Sequence, residues 1–363
     1  MKTAITQDWL LRDSSELHRL LLLTSFLEDP SLFTLQYNAR DCPEAQKKLN
    51  IKTARYHESG ELSLWKKIRL FSSDRKKFSL SGYDIVFSNS PGPLRWIKKD
   101  KYKAGRSPWQ FAYVEQPHPG LWKTDGSNAE FFIQDFLKRD DLPRLRNLDF
   151  SFSAGIDLSA TPSKWTAMKL QVSYGIEAHV LPPPVHPAFV PKPEKREWFY
   201  AELSAKTEQK IRLLNILFPH LAVPVQVSSV SVVKTEPNMV MLPVLTPPQK
   251  RDILYGSFAT ILLPGEESVL PALESFAMGV PVIAWKNSAA AEYIRKDTGY
   301  ILSEETPDAL LTAVYAARKQ PFSAHGIRKY FEENFSDQQF LNGMRNLFNR
   351  HVPQELRAGL QNL

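Results

Sequence analysis

A single cysteine, Cys42, stands in a chain of 363 residues, which excludes an internal disulfide and any multi-cysteine metal site. Histidine offers a metal no better purchase: His118, His179 and His186 are scattered, with no pair at ligand spacing on one helix. Long apolar runs are missing as well. The longest, Leu20–Leu23 extended to Leu27, is broken by Thr24 and Ser25 and cannot span a bilayer. The opening "MKTAITQDWL" has no signal-type hydrophobic stretch before Asp8. The expectation is a soluble cytoplasmic protein, without internal repeats or low-complexity tracts.

Apolar residues make up 43% and charged residues 23%, ample for buried sheets, and the length suggests two domains. The net charge of +7 is unevenly placed. Between 65 and 106 there are 12 basic and 3 acidic residues, in clusters that mix aromatics with base, "WKKIRLFSSDRKKF" and "RWIKKDKYKAGR". Such a patch attracts polyanions. One reading is a solvated face. Another is a contact for an anionic membrane surface, with Lys66, Lys67, Lys76, Lys77, Lys98 and Lys99 on one exposed face. Nucleic acid is not expected, because no nucleic-acid module accompanies the charge.

Strand-like runs alternate with helical periodicity, which predicts an α/β architecture with parallel sheets. The candidate strands of the first half are "KTAITQD", "FTLQYN", "YDIVFSN", "QFAYVEQ", "IDLSATP" and "AHVLPPP". The prolines of "PPPVHPAFVPKP" can continue neither a helix nor a central strand and read as a linker. Beyond it come "REWFYAELS", "VPVQVSSVSVV", "NMVMLPVL", "FATILLPG", "VPVIAW" and "GYILSE". Helical stretches are predicted over 206–221, 247–257, 270–278, 288–296 and 306–319, with a last helix over about 336–351. A doubly wound domain places its ligand at the C-terminal ends of its strands.

The most informative segment is "ILLPGEESVLPALESFAMGVPVIAWKNSAAAEYIRKDTGYILSEETPDAL". Glu266 lies on a loop at the end of a strand, where a ligand's polar groups arrive. Glu274 follows with seven residues between, about one and a half turns into the next helix, on a face that can reach the same ligand. Helix-start amides near Ser268 and Val269 would offer donors to a diphosphate. The alternative is a pair of surface glutamates, one of them a helix-start acid favoured by the macrodipole.

This segment resembles the signature of the family-4 retaining glycosyltransferases, in which two glutamates at that spacing precede an "EAMA-G-PV" turn. Collinear landmarks extend the resemblance over about 1–320: "ITQDWL", "LSGYDIVFSNS", "FAYVEQPHPGLW" and "IDLSATPSKWTAMKLQVSYGIEAHVLPPPV". It implies a GT-B fold, two Rossmann-like domains facing across a cleft. Residues 1–188 would form the acceptor side and 195–335 the nucleotide-sugar side, with 336–363 packing back on the first. The first glutamate would hold the donor sugar and the second the nucleotide ribose. No cofactor or bound metal is implied beyond the nucleotide sugar itself.

Several chemistry-bearing positions depart from the family pattern. The glycine pair near donor phosphate and acceptor is Ser14 and Ser15. The active-site histidine is Glu115, which would repel a diphosphate, so that Glu115→His is expected to preserve or improve binding. The arginine after it is Pro119. The helix-start glycine is Val269, whose branched side chain would crowd the phosphate approach. The arginine–lysine clamp falls near "ELSAKTEQKIR", where Lys206 and Lys210 are candidate phosphate contacts, and "VSSVSVV" has no glycine.

The resemblance therefore implies a retaining transferase that moves sugar from a nucleotide sugar to a surface polysaccharide, lipopolysaccharide or other glycan or lipid-linked acceptor. Glu266 and Glu115 would be its catalytic residues. The alternative is a catalytically inactive relative that serves as a scaffold or regulatory subunit and has protein partners. Peripheral attachment to the inner face of a membrane would follow from the basic patch.

Overall fold

The structure, a computed structural model, describes residues 1–10, 14–37, 47, 49–57, 80, 82–89, 107–117, 119–122, 141–153, 155–190, 196–203, 214–215, 223–229, 239–264, 268–319 and 322–361. Two wholly parallel sheets follow one another along the chain. The first takes β1 (Thr3–Trp9), β2 (Ser31–Tyr37), β3 (Asn50–His57), β4 (Ile85–Ser88), β5 (Trp109–Tyr113), β6 (Leu158–Thr161) and β7 (His179–Val180), in the order β3-β2-β1-β4-β5-β6-β7. The second takes β8 (Trp198–Leu203), β9 (Val225–Ser229), β10 (Met239–Leu242), β11 (Ser257–Leu262), β12 (Val282–Trp285) and β13 (Gly299–Leu302), in the order β10-β9-β8-β11-β12-β13. Strands β4, β5, β6 and β12 are buried at every residue. Helices cover both faces of a parallel sheet, so β4 and β12 read as apolar runs rather than as alternation, while β5 and β6 bury Gln110, Ser159 and Thr161 as well.

Helices fill the crossovers. In the first half these are α1 (Ser15–Leu23), α2 (Pro119–Trp122), α3 (Asp141–Ser153) and α4 (Lys164–Tyr174). In the second they are α5 (Pro247–Tyr255) and α6 (Leu270–Ala277), and after β13 come α7 (Pro307–Lys319), α8 (Ala324–Phe335) and α9 (Asp337–His351). Their starts carry the expected chemistry. Ser14 Oγ accepts from Leu17 N, and Ser163 Oγ from Thr166 N. Thr246 and Gln249 form a reciprocal cap ahead of Pro247. After α6 the chain turns at Gly279 with φ of 70°, and a Cβ there would lie 2.7 Å from the carbonyl oxygen of Ala324. Only glycine both adopts that conformation and lets α8 approach.

Strand β3 and helix α8 were absent from the sequence expectation, and 288–296 is realised as a short 3-10 turn over Ala289–Tyr293. The last helix leaves the second sheet. Phe340, Met344 and Phe348 of α9 are buried in the same apolar cluster as Ile5, Phe26, Phe87 and Phe111 of the first. A second bridge joins the two halves at α4, whose first amides, Lys164 N and Trp165 N, donate to the two carboxylate oxygens of Glu292 at 2.8 and 2.5 Å. Beside it Tyr293 Oη donates to Pro162 O. The carboxylate of one half thus caps a helix of the other, where its charge complements the helix dipole.

Candidate functional site

In each sheet the strand order reverses once, between β1 and β4 and between β8 and β11. At such a reversal neighbouring crossovers leave on opposite faces and open a crevice at the strand ends. Polar side chains collect at both.

At the second reversal, Tyr200 and Glu202 share one face of β8 because successive strand residues alternate. Lys250 comes from α5, which leads into β11, and Glu274 from α6, which leaves it. Lys250 and Glu274 are 8% and 3% exposed. The Lys250 ammonium lies 2.5 Å from Glu202 Oε2 and 2.5 Å from Glu274 Oε2. The enclosed Glu274 Oε2 takes that ammonium as an ion pair without a hydrogen bond of good angle. Tyr200 Oη sits 2.7 Å from Ser228 Oγ on β9. Among the described residues one cation thus serves two carboxylates. Burial pushes the Glu274 carboxyl up to about 7 against the pull of Lys250, with Glu202 adding to the rise. Burial draws the Lys250 ammonium down, yet Glu202 and Glu274 hold it well above the ordinary lysine value.

At the first reversal the organising group is Arg19 of α1, 2% exposed. Its Nε donates to Asn89 Oδ1 at 2.5 Å, and its Nη1 pairs with Glu115 Oε1. Its guanidinium carbon stands 4.3 Å over the ring of Tyr113. Asn89 passes the network on, donating from Nδ2 to Gln7 Oε1 at 2.8 Å and to Glu16 O at 3.0 Å. Burial and the neighbouring Glu115 charge raise the carboxyl of Glu16, and Glu16 in turn helps to raise Glu274.

The structure places the sequence candidates unequally. Ser14 spends its hydroxyl on the cap of α1, and Ser15 is the first residue of that helix. Glu115 does not stand as the bare negative charge expected from sequence, because Arg19 neutralises it. Val269 is 1% exposed and packs in the core, so its side chain does not occupy the crevice as expected. Its exposed neighbour Ser268 accepts from Leu270 N at 3.3 Å. Glu274 is buried and paired rather than facing open solvent. Glu266, Lys206, Lys210 and the lysines of the basic patch lie outside the described residues.

Sequence reasoning missed Arg19, Asn89, Glu202 and Lys250. A signal existed for two of them. Arg19 shares the buried side of α1 with Leu20 and Leu23, and Lys250 the buried side of α5 with Leu254. A cation on an apolar stripe needs a buried partner.

Neither a family model nor a curated protein matches this chain. Solved structures do. The lipopolysaccharide outer core galactosyltransferase WaaB, in its apo form, superposes at a TM-score of 0.60 with 12% identity, over 97% of this chain and 100% of its own. Anabaena HepE in complex with UDP and glucose gives 0.64 at 11% identity, over 96% and 100%. WaaG, a glycosyltransferase involved in lipopolysaccharide biosynthesis, gives 0.59 at 12%, over 95% and 99%. This is the GT-B fold. At such identities the likeness speaks for the architecture, and these structural neighbours are GT-B glycosyltransferases. No described helix is long and apolar enough to cross a membrane, and no group of described side chains could hold a metal ion.

Proposed function

We propose that this protein is a retaining, nucleotide-sugar-dependent glycosyltransferase acting on a surface polysaccharide, lipopolysaccharide or other glycan or lipid-linked acceptor. The observation that carries the reading is Glu274. It is a carboxylate on the helix leaving β11, at the strand-order reversal of the second sheet, poised to ionise near neutral pH. The full-length likeness to glycosyltransferases, one of them solved with UDP and glucose, supports it. In this reading Glu274 accepts the ribose hydroxyls and Glu266 those of the donor sugar. Lys206, Lys210, Ser268 and the first amides of α6 meet the diphosphate, whose developing charge must be stabilised as it leaves. Ser14, Ser15 and Glu115 border the acceptor side, with the Glu115 charge held by Arg19. No metal or cofactor takes part.

Isothermal titration with uridine, guanosine and adenosine diphosphate sugars tests the proposal. Glu274→Ala is expected to cost about 1.5–3 kcal/mol of binding, a roughly ten- to hundred-fold loss of affinity. Because the residue is buried and paired, the variant also loses stability. Glu274→Gln, which keeps the shape, is the cleaner control. Binding is also expected to depend on pH. A carboxyl raised from 4.5 to about 7 stabilises the fold most below 4.5, and that contribution is lost as pH rises through about 7. Hydroxyl donors favour the ionised form, so affinity climbs between pH 6 and 8 and then levels off. A flat profile would count against Glu274 as the hydroxyl acceptor.

A second reading has an observation of its own. Glu115 and Glu274 are each already matched inside the chain, by Arg19 and Lys250. A non-catalytic scaffold that kept the fold would look the same there. Silence across the whole panel, from demonstrably folded protein, decides for it. The basic patch is proposed to contact anionic membrane at the inner face. Co-sedimentation should then require anionic vesicles and weaken as salt screens the charges, and salt-insensitive binding rejects the idea.

A further inference from the structure

We propose that Lys250 is the positioning residue of the nucleotide subsite. Clamped between Glu202 and Glu274, its ammonium holds Glu274 as a carboxylate, turned to accept the hydroxyls of a nucleotide's sugar. The inference rests on the reading of Glu274 given above and adds to it a residue that touches no ligand itself.

The geometry is specific. A lysine on the buried side of α5 must find a partner, because a bare ammonium cannot be taken out of water without one. Lys250 finds two, each at 2.5 Å, from different elements. Glu202 is reached from the end of β8, and Glu274 from α6. The side chain therefore spans the strand-order reversal and ties together the three elements that border the crevice. Without its charge, Glu274 would be a carboxyl 3% exposed in an apolar cluster beside a second carboxylate. Such a group takes up a proton, and a protonated carboxyl gives up part of its capacity to accept from a diol.

The groups facing Glu274 can be named. Lys250 comes from α5, and Glu202 and Tyr200 from β8. Glu16 approaches from α1 across the gap. Helix α8 also packs on α6, but its Arg328 is spent on Ala277 O, Phe189 O and Glu332. The 3-10 turn beside α6 sends Glu292 to the start of α4. Lys250 is thus the cation that reaches Glu274 among the described residues.

The test compares parent, Lys250→Met and Glu202→Gln. Uridine diphosphate is titrated from pH 6 to 9, and the carboxyl carbon of Glu274 is followed by NMR, assigned with Glu274→Gln. In Lys250→Met the Glu274 midpoint should rise by at least about one unit. Affinity at pH 7 should then fall about five-fold or more and recover to within about three-fold of the parent by pH 9. In Glu202→Gln, which removes the competing carboxylate, the midpoint should move the other way. A uniform loss of affinity at every pH, or unchanged midpoints, overturns the proposal, because a merely structural lysine gives that result. If Lys250→Met does not fold, the direction of the Glu202→Gln shift decides. If the parent binds no uridine diphosphate or other nucleotide, the functional reading fails by itself, and the NMR midpoints still decide the role of Lys250.

Discussion

Glu115→Ala is expected to destabilise the fold by about 3–5 kcal/mol, and more than the reciprocal change Arg19→Met. The asymmetry follows from exposure. Arg19 is 2% exposed at its side chain and Glu115 36%. Removing the glutamate takes away the ion pair of a buried guanidinium and leaves it Asn89, the face of Tyr113 and the Coulomb pull of Glu16. Removing the arginine leaves a carboxylate that water can reach, at a cost of about 1–2 kcal/mol. The double variant Arg19→Met/Glu115→Ala should recover most of the loss, and a double-mutant cycle in urea measures the coupling. Equal single effects that simply add would show that the pair is not a unit. Glu115→His, which sequence alone favours as relief of repulsion near a diphosphate, instead sets an imidazole beside an unpaired guanidinium. It should lower stability, not improve binding.

Phe348→Ala should be comparably severe, at about 3–5 kcal/mol. Its ring is fully buried and meets three others, Phe26 at 5.4 Å, Phe87 at 5.0 Å and Phe111 at 5.3 Å between centroids. Deleting it removes both the transfer free energy and the edge contacts, and opens a cavity where α9 sits on the first sheet. Against a total stability of about 5–15 kcal/mol the loss is large. Denaturant midpoints should fall in proportion, first for probes in the first sheet. A change below about 1 kcal/mol would mean that α9 is not seated there in solution.

Both effects concern contacts between residues far apart in the chain, and that is where the sequence ceased to be readable. Strands such as "IVF" in β4 and "VIAW" in β12 announce themselves, because a strand buried on both faces favours an apolar run. Strand β3, "NIKTARYH", lies at a sheet edge and mixes lysine, arginine and asparagine with its apolar residues, so it carries no such run. Helix α8 does repeat Ile327, Phe331 and Phe335 at helical spacing, and all are buried. Gly326 and a dense set of charges obscured it. Glu274 could be singled out because its neighbours form a recognisable turn. What it touches could not, for Lys250 and Glu202 lie on other elements and pairing by charge leaves no local pattern. The pairing of Glu115 was illegible for the same reason, since its counter-charge is 96 residues away.

The return of α9 to the first sheet has a consequence for how the molecule is made. The rings of Phe26, Phe87 and Phe111 are all in the chain once β5 has been synthesised, yet the ring that packs on all three is carried by Phe348. At ribosomal rates of about 5–20 residues per second, the intervening chain takes on the order of tens of seconds to emerge. Throughout that interval the apolar face that α9 covers lacks its partner and is expected to attract holding chaperones. Nascent chains arrested before α9 should be captured by such chaperones, and arrest after it should release them. A ribosome that stops before α9 is therefore expected to leave the first half, made long before, without the ring on which its aromatic cluster closes.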